Sequence, residues 1–364
     1  MALFPATADA VSPAWLESRL KASGAMSDGH IVALSHVPIG TGQVGDTARF
    51  TIDYDRPGAG PATVAGKFAA ADPTSRSTAA MLGLYAREVH FYRELAPRLA
   101  VRTPQVYASG LDDDGASFVL LFEDLGPARG GNQLQGCTIA DARHAVRQAA
   151  ALHAPTFCAP WLRDAAWLQP VPGLLDRLTT LYPQAHGVFR DRYDGLLAPE
   201  LMAVCDALCA DIAGYYARDP AQRAVCHGDF RLDNMLFDAR DGADPIAVVD
   251  WQTAGADCPL KDLAYFLGCG IGSTVRRAHE DELIALYCED MARAGVAFTR
   301  DAIWYRYRLG ALHGVATAVF SAAFVVRTDR GDANFLSMAR NACELALDHD
   351  SVGALKTCLE TGSC

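Results

Sequence analysis

The chain has 364 residues, is 51% hydrophobic and carries a net charge of −11. This length and composition are enough for two lobes with cores of their own. The acidic balance and the lack of a basic run argue against a nucleic acid partner. No apolar run approaches the roughly 18 residues that a membrane span needs, so no membrane partner is expected.

The first eleven residues lack a basic region followed by an apolar core, so no secretory signal is expected. The eleven cysteines are odd in number and form no C-x-x-C pair. This pattern favours reduced thiols over a disulfide framework. We therefore predict a cytoplasmic protein.

Three glycines follow an apolar stretch over residues 31–37: Gly40, Gly42 and Gly45 form a literal G-x-G-x-x-G. A dinucleotide fingerprint requires a helix directly after such glycines. Residues 46–54 instead alternate as a strand does. The arrangement strand, glycine loop, strand is typical of a flap folded over nucleotide phosphates. An ordinary glycine-rich hairpin remains an alternative for the loop alone.

One charged residue, Lys67, interrupts an otherwise apolar strand over residues 63–69. A buried ammonium without a partner is costly. The next segment, residues 78–99, is predicted as a long helix, and Glu88 falls on its apolar stripe. We predict that Lys67 and Glu88 form an ion pair. The alternative is that each side chain reaches the edge of its element and extends its charge into water.

The composition changes after an apolar strand over residues 117–122. Residues 126–136 are rich in glycine, asparagine and glutamine, and helical patterns dominate afterwards. We predict an N-terminal lobe, a hinge and a C-terminal lobe over residues 1–123, 124–136 and 137–364. Helices are predicted over residues 13–20, 140–153, 197–217, 259–267, 281–294, 300–327 and 334–348.

Residues 227–237 carry the chemistry that the sequence indicates most clearly. Asp229 is followed five residues later by Asn234, and Asp250 ends the next apolar strand. Asn234 and Asp250 can supply oxygen ligands to a divalent cation, while Asp229 stays free to accept a proton from a hydroxyl. The alternative is a polar hairpin in which these residues only form turns.

These residues resemble the kinase-like phosphotransferases, which include aminoglycoside phosphotransferases and choline kinases. The chain is most similar to the ecdysteroid-kinase-like branch with its bacterial members. The matching segments are His227-Gly228-Asp229 with Asn234, Val249-Asp250-Trp251-Gln252, the Lys67/Glu88 pair, the hinge Phe122-Glu123-Asp124-Leu125, and Asp262 to Gly268. The resemblance covers roughly residues 30–350.

The resemblance implies a role for each matching residue. Asp229 would be the catalytic base, Arg231 a cation facing the γ-phosphate, and Asn234 and Asp250 the Mg²⁺ ligands. Those that would contact the nucleotide are Gly40, Gly42, Gly45, Lys67 held by Glu88, and the hinge residues Glu123, Asp124 and Leu125. Asp262 would brace the catalytic loop.

The predicted fold is α+β and two-lobed, of the protein-kinase type. A small antiparallel sheet with one long helix is joined to a larger, mainly helical lobe, with ATP in the cleft. The predicted function is transfer of the γ-phosphoryl group of ATP, with Mg²⁺, to a hydroxyl of an amino-sugar, amino-alcohol or sterol-like molecule. The alternatives are a catalytically silent nucleotide-binding protein, an NAD-dependent oxidoreductase that rests only on the glycines, and a carrier or scaffold protein. No particular acceptor or oligomeric state is indicated.

Overall fold

The structure is a computed structural model that describes residues 4–40, 44–325 and 327–362. Its internal contacts group the chain into two units. The first unit comprises Met1–Arg98, Arg102–Ala128 and Asp238–Thr253, and the second comprises Leu99–Val101, Arg129–Phe237 and Ala254–Cys364. The first unit thus takes in a segment from the predicted C-terminal lobe. The lobe and hinge limits given above stay a prediction.

The first unit is built on a five-stranded sheet in which all neighbouring strands are antiparallel. Its strands, in the order in which they pair, are Ile31–Ile39, Gly45–Tyr54, Thr63–Ala69, Phe118–Glu123 and Val106–Leu111. A shorter strand, Asp244–Val248, also belongs to this unit. The predicted small antiparallel sheet is confirmed.

Alternation along the strands places apolar side chains on one face of this sheet. Phe50 and Phe68 are buried there, with their ring centroids 6.4 Å apart. Gly66 lies against both rings, because a Cβ at this position would come within 2.9 Å of the Phe50 ring. Pro13–Ala22 is a helix of the same unit, and its N-cap Ser12 accepts a hydrogen bond from the Trp15 amide.

The segment predicted as one helix over residues 78–99 differs from that prediction. Asp72 caps a helix that already begins at Pro73, and this helix ends at Met81. Gly83 then adopts a left-handed conformation with φ 68° before the helix Leu84–His90. The remainder forms a π-helical turn and a 3₁₀ turn. A left-handed glycine terminates a helix, and the apolar periodicity on either side concealed this break.

The second unit is mainly helical, as predicted. Its helices are Ile139–His153, Leu174–Tyr193, Pro199–Ala210, Ile212–Ala217, Leu260–Gly270, Ser273–Arg293, Arg300–Phe324, Asp329–Asp348 and Ser351–Thr361. Short strands accompany them: Arg129–Gly130, which pairs with Met235–Asp238, and Ala224–Cys226, which pairs with Gly255–Asp257.

Two helices of this unit differ from the sequence analysis. Leu174–Tyr193, which has Pro183 inside it, was not among the predicted helices. The single helix predicted over 197–217 is divided at Asp211, whose backbone is not helical.

Small residues let the central helices of the second unit approach closely. Gly314 lies where a Cβ would come within 2.9 Å of both the Ala342 Cβ and the Cys269 Sγ. Nine described cysteines are free thiols, as expected for reduced protein, but Cys358 is disulfide-bonded. None of the described helices combines the length and apolar character needed to cross a membrane.

Gly131 gives a direct test of packing in the second unit. A Cβ at this position would overlap the main-chain carbonyl oxygen of Leu232, whereas a Cβ at Gly130 would meet nothing within 4 Å. Backbone cannot move aside as a flexible side chain can. We therefore expect Gly131→Ala to lower the free energy of unfolding by about 1–3 kcal/mol, measured by urea unfolding.

Gly130→Ala is the matched control, since it adds the same methyl group one residue away. We expect it to change stability by less than about 0.5 kcal/mol. Equal stabilities of the two variants would contradict the close approach at Gly131.

Candidate active site

Lys67 lies between two carboxylates in the first unit. Its Nζ is 2.8 Å from Glu88 and 2.9 Å from Asp250 Oδ1, so the predicted ion pair with Glu88 is confirmed. The Glu88 side chain is only 1% exposed. Burial lowers the pKa of Lys67, but the charges of Asp250 and Glu88 outweigh it and raise the pKa above its ordinary value. The ammonium therefore stays charged.

Asp250 is held in an unusual backbone conformation. Its φ is 67°, in the left-handed region that residues other than glycine rarely adopt. The next residue, Trp251, is fully buried and stacks on Phe91, with centroids 3.8 Å apart and planes inclined by 5°. Packing of this indole fixes the chain directly after Asp250. Strained conformations held by their surroundings are frequent at functional sites.

The predicted glycine loop is partly described. Gly40 has a left-handed φ of 77°, and Gly42 lies outside the described residues. Gly45 begins a strand, so no helix follows the glycines as the dinucleotide fingerprint requires. A Cβ at Gly45 would come within 3.3 Å of the Lys67 Cε. The end of the glycine loop thus lies directly against the Lys67 side chain.

The side chains of the predicted hinge are engaged within the first unit. Glu123 pairs with Arg102 at 2.5 Å, and Asp124 accepts two hydrogen bonds from Arg49, at 2.6 and 3.0 Å. The Leu125 carbonyl accepts a hydrogen bond from a backbone amide. These carboxylates therefore serve structural ion pairs, and the predicted contact of the hinge with the nucleotide would have to use backbone groups.

Asp229 in the second unit accepts hydrogen bonds from three side chains. Arg231 Nε and Asn234 Nδ2 donate to Oδ2 at 3.0 and 2.9 Å, and the Tyr265 hydroxyl donates to Oδ1 at 3.0 Å. Burial raises the pKa of Asp229, but Arg231, His227 and these hydrogen bonds lower it below its ordinary value. The side chain is still 24% exposed. Asp229 is thus an ionised carboxylate that a small molecule can reach.

The other two residues predicted for this loop, Arg231 and Asn234, both contact Asp229. The amide nitrogen of Asn234 also donates to the Asp229 carbonyl, at 2.9 Å. With its nitrogen so used, Asn234 directs its oxygen elsewhere. Arg231 bonds both Asp229 and Asp233, at 3.0 Å each. The structure therefore brings Asp229, Arg231 and Asn234 together in the second unit, and Lys67, Glu88 and Asp250 together in the first.

The buried carboxylate of Asp262 accepts hydrogen bonds from the backbone of this loop. It accepts hydrogen bonds from the amides of His227, at 2.6 Å, and Gly228, at 3.0 Å, and lies 3.3 Å from His153 Nε2. Burial raises the pKa of Asp262, but hydrogen bonding to His153 and nearby positive charge lower it to about 2. This geometry agrees with the bracing role that the resemblance implied.

Three residues that contact the loop were missed in the sequence. His313 Nε2 donates to the Gly228 carbonyl at 2.8 Å, and Gln133 Oε1 accepts from the Leu232 amide at 3.3 Å. Neither position carries a local signal. Tyr265 could have been found, since it follows Asp262 by three residues in a predicted helix and so shares its face.

Comparison with known proteins agrees with the fold. A model of the ecdysteroid kinase-like family matches residues 45–296. The GDP complex of aminoglycoside 2'-phosphotransferase-IIIa is 15% identical, with a TM-score of 0.53, over 92% of this chain and 99% of that one. An ethanolamine kinase from Plasmodium vivax is 12% identical, with a TM-score of 0.50, over 94% of this chain and 86% of that one.

Two matches to acyl-CoA dehydrogenase family member 11 are local. The Gallus gallus protein is 30% identical over 116 residues, which are 28% of this chain and 15% of that protein. The Homo sapiens protein is 48% identical over 42 residues, which are 12% of this chain and 5% of that protein.

The solved structures confirm the predicted kinase-like fold. The family match confirms the resemblance drawn from the sequence, and it covers more than half of the chain. The chain belongs to the ecdysteroid kinase-like family.

Proposed function

We propose that this protein is an ATP- and Mg²⁺-dependent phosphotransferase that moves the γ-phosphoryl group of ATP to a hydroxyl of a small molecule. The observation that supports the proposal is the charge, exposure and hydrogen bonding of the Asp229 carboxylate. It is an ionised, reachable carboxylate whose direction is fixed by donors from Arg231, Asn234 and Tyr265. A general base must be oriented in this way to accept the proton of an attacking hydroxyl.

The nucleotide phosphates would be bound by groups of the first unit. Lys67 is charged and held by Glu88, so its ammonium is fixed where the end of the glycine loop reaches it. In this role Lys67 would pair with phosphate oxygens, and Glu88 would keep the lysine in place. Gly40, Gly42 and Gly45 would supply three loop positions without side chains, which lets backbone amides approach the phosphates.

Asn234 and Asp250 would hold Mg²⁺, and their side chains fit that ion. The amide nitrogen of Asn234 is already used by Asp229, which leaves its oxygen as the ligand. Asp250 gives Oδ1 to Lys67, while its Oδ2 has a long contact of 3.4 Å with Gln252. Mg²⁺ prefers such hard oxygen ligands and keeps places for phosphate and water. When bound, it would neutralise charge on the phosphates.

Asp229 and Arg231 would act at the reacting group. Phosphoryl transfer needs positioning and charge neutralisation more than covalent help. Asp229 would orient the attacking hydroxyl and take its proton. Arg231, held by Asp229 and Asp233, would place positive charge near the transferred group.

A transfer screen tests the function. Purified protein is incubated with Mg²⁺, ATP labelled at the γ-phosphate, and amino-sugars, amino-alcohols or sterols. The acceptor classes follow the resemblance, and two of them accord with the aminoglycoside and ethanolamine enzymes that share the fold. Label transferred to one class supports the proposal. ATP binding without transfer to any acceptor would favour the silent nucleotide-binding protein instead.

We expect Asp229→Asn to reduce phosphoryl transfer by about 10²–10⁴, because general base catalysis is worth that much. The affinity for Mg-ATP should stay within a few-fold, since the base acts on the acceptor. Initial rates and nucleotide titrations measure the two effects. Asp191→Asn, at an exposed aspartate of the helix Leu174–Tyr193, is the control. Retention of more than about a tenth of the activity by Asp229→Asn would remove this residue from the base role.

Asp250→Asn should lower Mg²⁺-dependent nucleotide affinity by about tenfold or more. Asparagine tolerates the left-handed backbone of this position, so the variant removes charge without adding strain. Asn234→Ala should weaken binding less, because a carboxamide offers the metal only a dipole. Calorimetric titrations at graded Mg²⁺ concentrations compare the variants. The metal assignment is lost if Asp250→Asn and the wild type give the same Mg²⁺ dependence.

Lys67→Met should destabilise the protein, because it leaves the Glu88 carboxylate buried without its cation. The double variant Lys67→Met/Glu88→Gln should regain part of this loss, since a neutral amide costs less to bury than a charge. We expect a coupling free energy above about 0.5 kcal/mol in a double-mutant cycle. Urea unfolding of the four proteins measures it. Additive losses would show that the pair contributes nothing as a pair.

A further inference from the structure

The two carboxylate oxygens of Asp229 are unequally occupied. Oδ2 accepts from both Arg231 Nε and Asn234 Nδ2, whereas Oδ1 accepts from the Tyr265 hydroxyl alone among the described residues. An ionised carboxylate has about four acceptor positions, two on each oxygen. Oδ2 is therefore filled, and Oδ1 retains one position.

Tyr265 is itself fixed. It lies on the helix Leu260–Gly270 and is 1% exposed. Its ring packs edge-on against His313, with centroids 5.0 Å apart, and His313 holds the Gly228 carbonyl. Asp262, one turn earlier on the same helix, holds the Gly228 amide. One helix and its neighbour thus hold both the peptide before Asp229 and the carboxylate of Asp229.

The Tyr265 hydroxyl can act here only as a donor. Burial and the adjacent Asp229 raise the pKa of this phenol well above its ordinary value, so it keeps its proton. A carboxylate offers no proton in return. The hydrogen bond therefore has one direction, from Tyr265 to Oδ1, and it sets the rotation of the carboxylate about its last bond.

We propose that Tyr265 is a positioning residue for phosphoryl transfer, and that Oδ1 of Asp229 is the atom that receives the acceptor's proton. Tyr265 occupies one acceptor position of Oδ1 and directs the other toward the attacking hydroxyl. This inference rests on the function proposed above. It adds two assignments to that function: Oδ1 of Asp229 as the atom that receives the proton, and Tyr265 as the residue that orients it.

The step balances with ATP as the phosphoryl donor. The O–H bond of the acceptor breaks, and its proton forms a new bond to Oδ1, which leaves Asp229 neutral. The acceptor oxygen bonds to the γ-phosphorus while the bond from that phosphorus to the bridging oxygen breaks. ADP leaves with the electron pair of that bond. Tyr265 keeps its proton throughout.

Tyr265→Phe tests the proposal, with Tyr307→Phe as its matched control. Tyr307 is also fully buried in the second unit, and its hydroxyl donates to a carboxylate, Glu280, at 2.6 Å. Both substitutions remove one phenolic oxygen that is bonded to an acid. Only Tyr265 bonds an acid of the 227–234 loop. A general effect of losing a buried hydroxyl should therefore appear in both variants.

With an acceptor found in the transfer screen, we expect Tyr265→Phe to lower kcat by about tenfold, because a hydrogen bond to a charged group is lost. The KM for ATP should change less than about twofold, since Tyr265 touches no proposed nucleotide ligand. Tyr307→Phe should leave kcat within about twofold, even where its melting temperature falls further. An unchanged kcat in Tyr265→Phe, or equal losses in the two variants, would overturn the assignment.

A second measurement asks whether Tyr265 acts through Asp229. In the Asp229→Asn background, adding Tyr265→Phe should reduce the residual kcat by less than about twofold, because residues that act as a unit are not additive. A further tenfold loss would overturn the proposal.

If the wild type transfers phosphate to no acceptor, the proposed function and this assignment both fail. If the wild type is active and Tyr265→Phe matches it, only the assignment fails.

Discussion

The first unit depends on how it accommodates one positive charge. A lysine inside an apolar strand must find anions, and here two carboxylates from distant parts of the sequence meet it. Glu88 comes from a helix that packs on the sheet, and Asp250 comes from a segment much later in the chain. The charge therefore ties three separate elements together. The two carboxylates that stabilise this buried charge also hold the Lys67 ammonium in a fixed position next to the end of the glycine loop.

The second unit orders the loop over residues 227–234 by a different means. The loop backbone is held there by hydrogen bonds to side chains from two helices and a turn. Asp262 accepts hydrogen bonds from two successive backbone amides, and Gln133 accepts one from a third amide. His313 donates a hydrogen bond to a backbone carbonyl. Short-range geometry in the loop is thus a product of long-range contacts. Asp229 can remain partly exposed and still have a fixed direction.

The sequence was most informative where a residue broke its local pattern. Lys67 stands out in an apolar strand and Asp250 at the end of another, so both could be recognised without knowledge of the fold. His313 and Gln133 could not be placed on the loop in this way, because they bond to residues 85 and 99 positions away. Tyr265 could be found only through the helix face that it shares with Asp262. The helix predicted over residues 78–99 was wrong in its limits because one residue, the left-handed Gly83, separates two helices whose apolar periodicity continues across it.

The path of the chain has a consequence for dissecting this protein into fragments. The first unit takes Asp238–Thr253 from beyond most of the second unit's sequence. A fragment that ends at Ala128 would lack Trp251, so the Phe91 ring would lose its stacking partner. Lys67 would keep only one of its two carboxylates. Expression of the first unit alone, or its exchange with that of a relative, therefore requires both stretches of chain, joined by a linker in place of residues 129–237.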